Sequence, residues 1–307
     1  MTENVRDKLS GVLVVNKPEK MTSAGVVAFV KKQMKAAKAG HTGTLDPFAT
    51  GVLVCCINHA TRLARFFLND EKKYEAVICL GVETDTQDST GNIMSQCDPV
   101  EFSEKTIRSV FKRFEGSIEQ FPPIFSALKH QGIPLYKLAR TGRPFQKPAR
   151  RVFISSIRIL DIHLPEIRFE VSCSSGTYIR ALCSDIGKAL GCGGHLKALR
   201  RLESGGFTIQ EAISLAEVKE LASTGKLSGR LINMSSALRK MPAHVADKNL
   251  IAKIMHGRII TENDFISEST GIAKGFIKIV DNSDDLLAVL SRKEQSRPYR
   301  YCCVFNK

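Results

Sequence analysis

Tryptophan is absent from this 307-residue chain and tyrosine occurs only five times, so rings on which a base or sugar could stack are scarce. Acidic residues are in deficit: 31 Asp+Glu face 45 Lys+Arg, a formal net charge of +14. That excess suits a polyanionic partner. No long apolar run exists. The longest, Val52 to Ile57, is far too short to cross a bilayer. The polar opening MTENVRDKLS carries no apolar signal core, so neither membrane insertion nor secretion is expected. CxxC pairs, low-complexity tracts and solenoid-length repeats are missing too. The nine cysteines include two adjacent pairs, Cys55-Cys56 and Cys302-Cys303, which make no disulfide framework. Cys183, Cys192 and His195 lack a companion ligand pattern and read as reduced side chains packed as small apolar residues. The expected setting is a reducing cytoplasm, and no metal site is expected.

What is present suits a folded chain: 43% hydrophobic and 25% charged residues exclude disorder as the main theme. Gly11–Val15 reads as a buried strand. Thr22-Ser23 can cap a helix running to about Ala37, with Val26, Val27, Val30 and Met34 on one face and Lys31, Lys32, Lys35 and Lys38 on a solvated one. Strands are expected at Val52–Ile57, Tyr74–Leu80, Val152–Leu160 and Ile167–Cys173. Helices are expected near Thr61–Leu68, Ser103–Phe114 and Tyr178–Leu190. Five prolines punctuate Glu119–Arg151, which ends in Arg140, Arg143, Lys147, Arg150 and Arg151 with no acid among them. A long basic loop of this kind is uncommon unless functional or disordered. A boundary near Pro242–Asp247 is followed by a short helix (Leu250–Met255), a hairpin of Phe276–Val280 with Leu286–Leu290, and a strand at Tyr299–Phe305. Strands and helices alternate without a βαβ rhythm, which argues α+β.

Four stretches could carry chemistry. GHTGTLDPFATG (40–51) is no P-loop, since no GK[ST] follows its glycines. Within it, Pro47 biases Asp46 away from the α region and apolar neighbours keep water sparse. An Asp-Pro pair is nonetheless most often simply a turn. In KKYEA (72–76), Tyr74 enters a strand, where an aromatic is usually core; it could instead be a stacking platform worth about 1–3 kcal/mol. In GTYIR (176–180), Arg180 is ordinarily a surface residue but would suit a buried carboxylate. HLKALRRL (195–202) offers basic residues that could meet phosphates.

Together, and in this order and spacing, these blocks resemble the TruB family of pseudouridine synthases. LGVETDTQD (80–88) and PPIFSALKHQGIPLYKLARTGRP (122–144) fit the same pattern. The resemblance covers about Gly11 to Phe207. It implies an α+β fold with a mixed, mostly antiparallel sheet of the pseudouridine synthase type, flanking helices and a basic RNA-clasping insertion at about 119–151. It implies a catalytic domain over 1–245 and, more loosely, a small β-rich PUA-like RNA-binding domain over 246–307.

The implied activity is a stand-alone enzyme that isomerises the T-loop uridine at tRNA position 55. The N-glycosidic bond breaks, the uracil turns, and the two rejoin through carbon. Nothing is oxidised and no group leaves for good, so no cofactor is expected. By the same resemblance Asp46 is the nucleophile and Arg180 keeps it ionised. Tyr74 stacks on the flipped uracil and serves late proton transfer, Tyr178 and Leu199 line the uridine pocket, and His41 supports the T loop. Arg140, Arg143, Lys147, Arg150 and Arg151 would meet the RNA backbone. The expected partner is the tRNA T-arm, with no obligatory protein partner and a monomeric state. Two departures stand out: Lys20 and Asn58 occupy positions where the family usually has glycine. Two other readings are an RNA-guided, dyskerin-like relative and a non-catalytic RNA-binding or folding protein.

Overall fold

Alternation of buried and half-exposed side chains runs without a break through Lys72–Leu80, the period that a sheet strand with one face on a core requires. This strand lies at the centre of the sheet. The computed structural model describes residues 9–98, 100–265, 275–292 and 298–305; the opening MTENVRDK lies outside them. Seven long strands are β1 (Gly11–Lys17), β2 (Thr50–Ile57), β3 (Lys72–Leu80), β4 (Gly116–Gln120), β5 (Arg150–His163), β6 (Glu166–Cys173) and β7 (Gly194–Ser204). They lie in the order β1-β2-β7-β3-β6-β5-β4. Every pairing along this path is antiparallel except β2 with β7, which run parallel at Thr50–Arg200 and Gly51–Arg201. The sheet is thus mixed and mostly antiparallel, in agreement with the sequence.

Helices cover both faces. The first, α1 (Ser23–Gln33), starts where Thr22 accepts from the Gly25 amide, and α2 (Glu104–Lys112) where Ser103 accepts from Thr106; each side-chain cap satisfies an otherwise orphaned donor. The first ends four residues before Ala37, because Lys35 turns left-handed at φ 50°. Lys20 and Asn58 are left-handed as well (64° and 50°). Asn58 makes its turn hold by accepting from the Ala37 and Lys38 amides and donating to the Leu9 carbonyl. The 119–151 stretch is more ordered than a long loop: it holds a short hairpin at 129–134 and a helix, α3 (Leu135–Arg140), anchored by the fully buried Leu135. In the same core as Ile107, Val110 and Phe111 of α2, α4 (Ile179–Leu190) buries Ile179, Leu182, Cys183 and Ile186 against the sheet and ends at left-handed Gly191. His195 hydrogen-bonds the Val82 carbonyl through Nδ1 at 2.9 Å, and no cluster of potential metal ligands is found among the described residues.

A second sheet comprises β8 (Ala243–Val245), β9 (Gly275–Val280), β10 (Leu286–Arg292) and β11 (Arg300–Val304), in that order. One face carries α5 (Lys248–Met255), with Leu250 and Ile254 buried. On the other, Val280, Leu286, Val289, Cys303 and Phe305 share one apolar core with Val12, Val14, Val52, Val54 and Phe67 of the larger body.

Candidate active site

The loop between the short strand Ala39–His41 and β2 is nearly all backbone and small side chains, so its peptide groups need partners from elsewhere. Three buried donors supply them. Ser23 Oγ accepts from the Leu45 amide (2.8 Å) and donates to the Leu45 carbonyl (3.0 Å). Lys17, with no exposed surface, donates to the carbonyls of Pro18, Met21 and Pro47 at 2.8, 2.6 and 3.0 Å. Burial lowers its ammonium pKa to about 8, which nearby Asp46 opposes. Arg201 donates to the carbonyls of Val52 (2.7 Å) and Gly43 (3.0 Å).

So fixed, the loop presents Asp46 at a cleft of about 420 Å³ that is also lined by Tyr74, Tyr178, Arg180, Leu199, Arg150 and Arg201. Arg180 Nε stands 2.9 Å from an Asp46 carboxylate oxygen. The guanidinium is fixed from three more directions: it donates to the carbonyls of Thr86 and Phe125, each at 3.0 Å, and lies 3.6 Å from Asp88. Asp88 is itself buried and accepts from Thr86, Thr90 and the Thr90 amide. Burial pushes the Asp46 carboxyl above its ordinary value, the Arg180 charge pulls it back, and Asp88 adds to the upward push. The Asp46 carboxylate thus faces the cleft one-third exposed, held in one orientation by a nearly fully buried arginine.

Tyr74 lies 8% exposed on β3, opposite Arg201 on β7; burial raises its phenol pKa and the Arg201 charge counters. Tyr178 caps the start of α4. The fully buried Gln120 fixes its backbone by accepting from its amide (2.7 Å) and donating to its carbonyl (3.0 Å). His41 does not line this cleft. It faces a neighbouring cavity of about 660 Å³ on the other side of the Asp46–Arg180 pair, together with Phe48, Tyr136 and Arg140. Burial keeps its imidazole below the usual value, with Arg201 adding to the effect.

The basic residues of the insertion divide. Arg140, Arg143 and Arg151 are exposed, and Lys147 is half-buried. Arg150 is built into the cleft wall, with its guanidinium 5.0 Å over the Tyr178 ring and donating to the Gly176 carbonyl. In the HLKALRRL block Lys197 and Arg200 are exposed, and only Arg201 departs from the reading as a phosphate contact. The block forms β7 in the middle of the sheet, and Arg201 is 2% exposed. Lys17, Asp88, Gln120 and Arg201 were not singled out from sequence. Each is a polar residue within an apolar or turn-rich run, a weak signal that gains meaning only when a partner far along the chain is known.

A family model described as "TruB family pseudouridylate synthase (N terminal domain)" matches residues 31–179, and one described as "tRNA pseudouridylate synthase B C-terminal domain" matches 180–241. Among curated relatives, a tRNA pseudouridine synthase B of Syntrophotalea carbinolica is 40% identical over 97% of this chain and 98% of its own. One from Geobacter sulfurreducens is 46% identical over 76% of this chain and 77% of its own. Among solved structures, that of a Cbf5-Nop10-Gar1 complex contains a similar chain. It has a TM-score of 0.75 and 27% identity, covering 98% of this chain and 85% of that one.

Proposed function

Because the chain belongs to the TruB family of pseudouridylate synthases, we propose that it isomerises the T-loop uridine at tRNA position 55 and that Asp46 is its nucleophile. The enzyme is a tRNA pseudouridine synthase of the stand-alone type: similarity to the tRNA pseudouridine synthase B relatives reaches 40% over 97% of the chain. Similarity to the Cbf5 chain stands at 27%. The observation that carries the catalytic assignment is the Asp46–Arg180 pair at 2.9 Å, opening on a cleft with Tyr74, Tyr178 and Leu199 in its wall.

Asp46 acts on the ribose or on the uracil ring and is released again when the carbon–carbon bond forms, while Arg180 holds its carboxylate ionised against the burial that opposes ionisation. The uracil leaves the ribose but stays between Tyr74 and Leu199, turns, and rejoins through carbon 5. The proton once on that carbon departs as N1 gains one, the Tyr74 hydroxyl passing on its own proton as it takes up the other, so that nothing is gained or lost overall. A base already in a loop costs least to extrude, a few kcal/mol or less, which favours a folded T-arm over a duplex. His41, in the adjoining cavity, supports the opened T loop. The exposed Arg140, Arg143 and Arg151, with Lys147, follow its backbone. The second sheet is a PUA-like RNA-binding module that begins at Ala243, within the boundary expected near Pro242–Asp247. The enzyme works as a cytoplasmic monomer without cofactor, metal or protein partner. A site reduced to RNA binding would have no use for Asp46, Tyr74 and Arg180 converging on one cleft.

The test is pseudouridine formation on an unmodified T-arm hairpin, mapped to the nucleotide, with chelator present and guide RNA omitted. Conversion at the T-loop uridine is expected. Tight binding without conversion would overturn the stand-alone catalytic reading.

A further inference from the structure

Arg201 heads the largest side chains that are fully buried in this protein, and among the described residues no carboxylate pairs with it. Its charge is met instead by backbone carbonyls: Val52 at 2.7 Å, Gly43 at 3.0 Å and Thr44 at 3.5 Å. Burying a cation in this way costs several kcal/mol, and a well-packed apolar residue would commonly fill such a place at least as stably. The strands meet closely beside it. Gly51, at φ 102°, lies so close to the Arg201 backbone that a Cβ there would stand 2.2 Å from the Arg201 carbonyl oxygen.

What the charge touches is catalytic on both sides. In the sheet, Arg201 stands opposite Tyr74 on β3 and opposite Gly51 on β2, and its charge opposes the upward push of burial on the Tyr74 phenol. Gly43 and Thr44, whose carbonyls it holds, lead directly into Asp46. The same cation thus reaches the nucleophile's loop from below and the stacking ring from beside it, in the wall of one cleft.

We propose that Arg201 is a positioning residue for the isomerisation, holding the Asp46 loop by its carbonyls while standing across from Tyr74 in the sheet, so that both keep their spacing across the cleft. This rests on the roles given to Asp46 and Tyr74 above. Scaffolding alone could be met by any side chain that fills the space. Positioning through hydrogen bonds needs the fork of donors that arginine provides and lysine only partly replaces.

The test uses the full chain with Arg201→Gln and Arg201→Lys, each alone and combined with Tyr74→Phe, on the T-arm hairpin under single turnover. In Arg201→Gln the rate is expected to fall about a hundredfold, the scale of an ångström of misplacement, while tRNA affinity changes less than about threefold. Arg201→Lys should recover part of the rate. In the Tyr74→Phe background the Arg201→Gln loss should shrink markedly, since residues acting through one contact are non-additive.

A folded Arg201→Gln enzyme at parental rate overturns the proposal. So does an equal loss in both backgrounds, which would mark a purely structural role. A second arm needs no RNA and decides the matter if Arg201→Gln fails to fold. With 13Cζ-labelled tyrosine, the NMR signal assigned to Tyr74 by its loss in Tyr74→Phe should move in Arg201→Lys. An unmoved signal overturns the proposal. A parent enzyme that leaves the hairpin unconverted would instead refute the functional reading, and the labelled-tyrosine arm would still decide this one.

Discussion

The Asp46 loop and the C-terminal sheet both lean on β2, and they are held there by opposite physics. The loop is fastened from Ser23, Lys17 and Arg201 by directional bonds to its peptide groups. The sheet is fastened by Val280, Leu286, Val289, Cys303 and Phe305, packed on Val52, Val54 and Phe67. Hydrogen bonds flank that packing: Arg62 and Arg65 donate to the carbonyls of Val304 and Cys302, Ser235 donates to Asp284, and Lys278 donates to the carbonyls of Ser235 and Leu238. A loop that must place one carboxylate to within a fraction of an ångström gains little from apolar area, which is non-directional. It needs hydrogen bonds, whose geometry is narrow. A docked module needs only enough buried area to stay, and apolar packing supplies that. Precision and adhesion are assigned to different residues around a single strand.

The sharpest way to break the comparison is to remove chemistry while leaving both attachments intact. Asp46→Asn keeps the shape of the loop and removes the nucleophile. Single-turnover pseudouridine formation is expected to fall by more than about 10⁴-fold, the scale seen when an essential charged catalytic group is replaced by its amide. Affinity for the hairpin should stay within about threefold. A full-rate variant would sink the assignment. The raised Asp46 carboxyl adds a sign: the nucleophile must be ionised, so activity is lost as pH falls through a value above the ordinary carboxylate range.

Next in size is the apolar attachment. Phe305→Ala removes a ring buried between the two sheets and lying under the Arg62 guanidinium at 4.9 Å, and should cost about 3–5 kcal/mol of stability. Limited proteolysis should open the C-terminal sheet first. If adhesion is all that contact provides, the intact fraction converts the hairpin at a rate within about threefold of the parent, because no residue of that sheet lines the cleft. A rate that falls in step with the lost stability would show the sheet to be part of the catalytic frame.

The same contrast governs what could be read from sequence. Apolar attachment is written locally. The strand at Tyr74–Leu80, the cap at Thr22, the helix from Ser103 and the hairpin of β9 with β10 were legible, because strands and helix starts depend on near neighbours. Directional attachment is not written locally. Nothing in HLKALRRL says that its second arginine lies inward, since its acceptors are Gly43, Thr44 and Val52, about 150 residues away. Its charge pattern argued for the surface, and a central strand was missed with it. Gln120 and Lys17 were hidden for the same reason. Asp46, Tyr74 and Arg180 were found by resemblance to a family, which stores long-range pairings that composition and periodicity do not.

The smallest effect falls at the rim of the cleft, where the two kinds of attachment meet in neighbouring residues. Arg150 and Arg151 look interchangeable in sequence, yet one is built into the wall over Tyr178 and the other is exposed on β5, opposite Glu119. Reversing the exposed charge, Arg151→Glu, should weaken tRNA binding by about 1 kcal/mol and reduce the slope of log K against log salt by about one, the mark of a lost phosphate contact. The single-turnover rate at saturating enzyme should not change. Arg150→Glu should lower that rate as well, because the guanidinium that rests on the Tyr178 ring and holds the Gly176 carbonyl goes with the charge. Titrating both variants over a range of salt separates the two roles. An unchanged slope in Arg151→Glu would remove that strand edge from the RNA interface, and equal rate losses in the two variants would erase the distinction between a residue that binds the substrate and one that shapes the pocket.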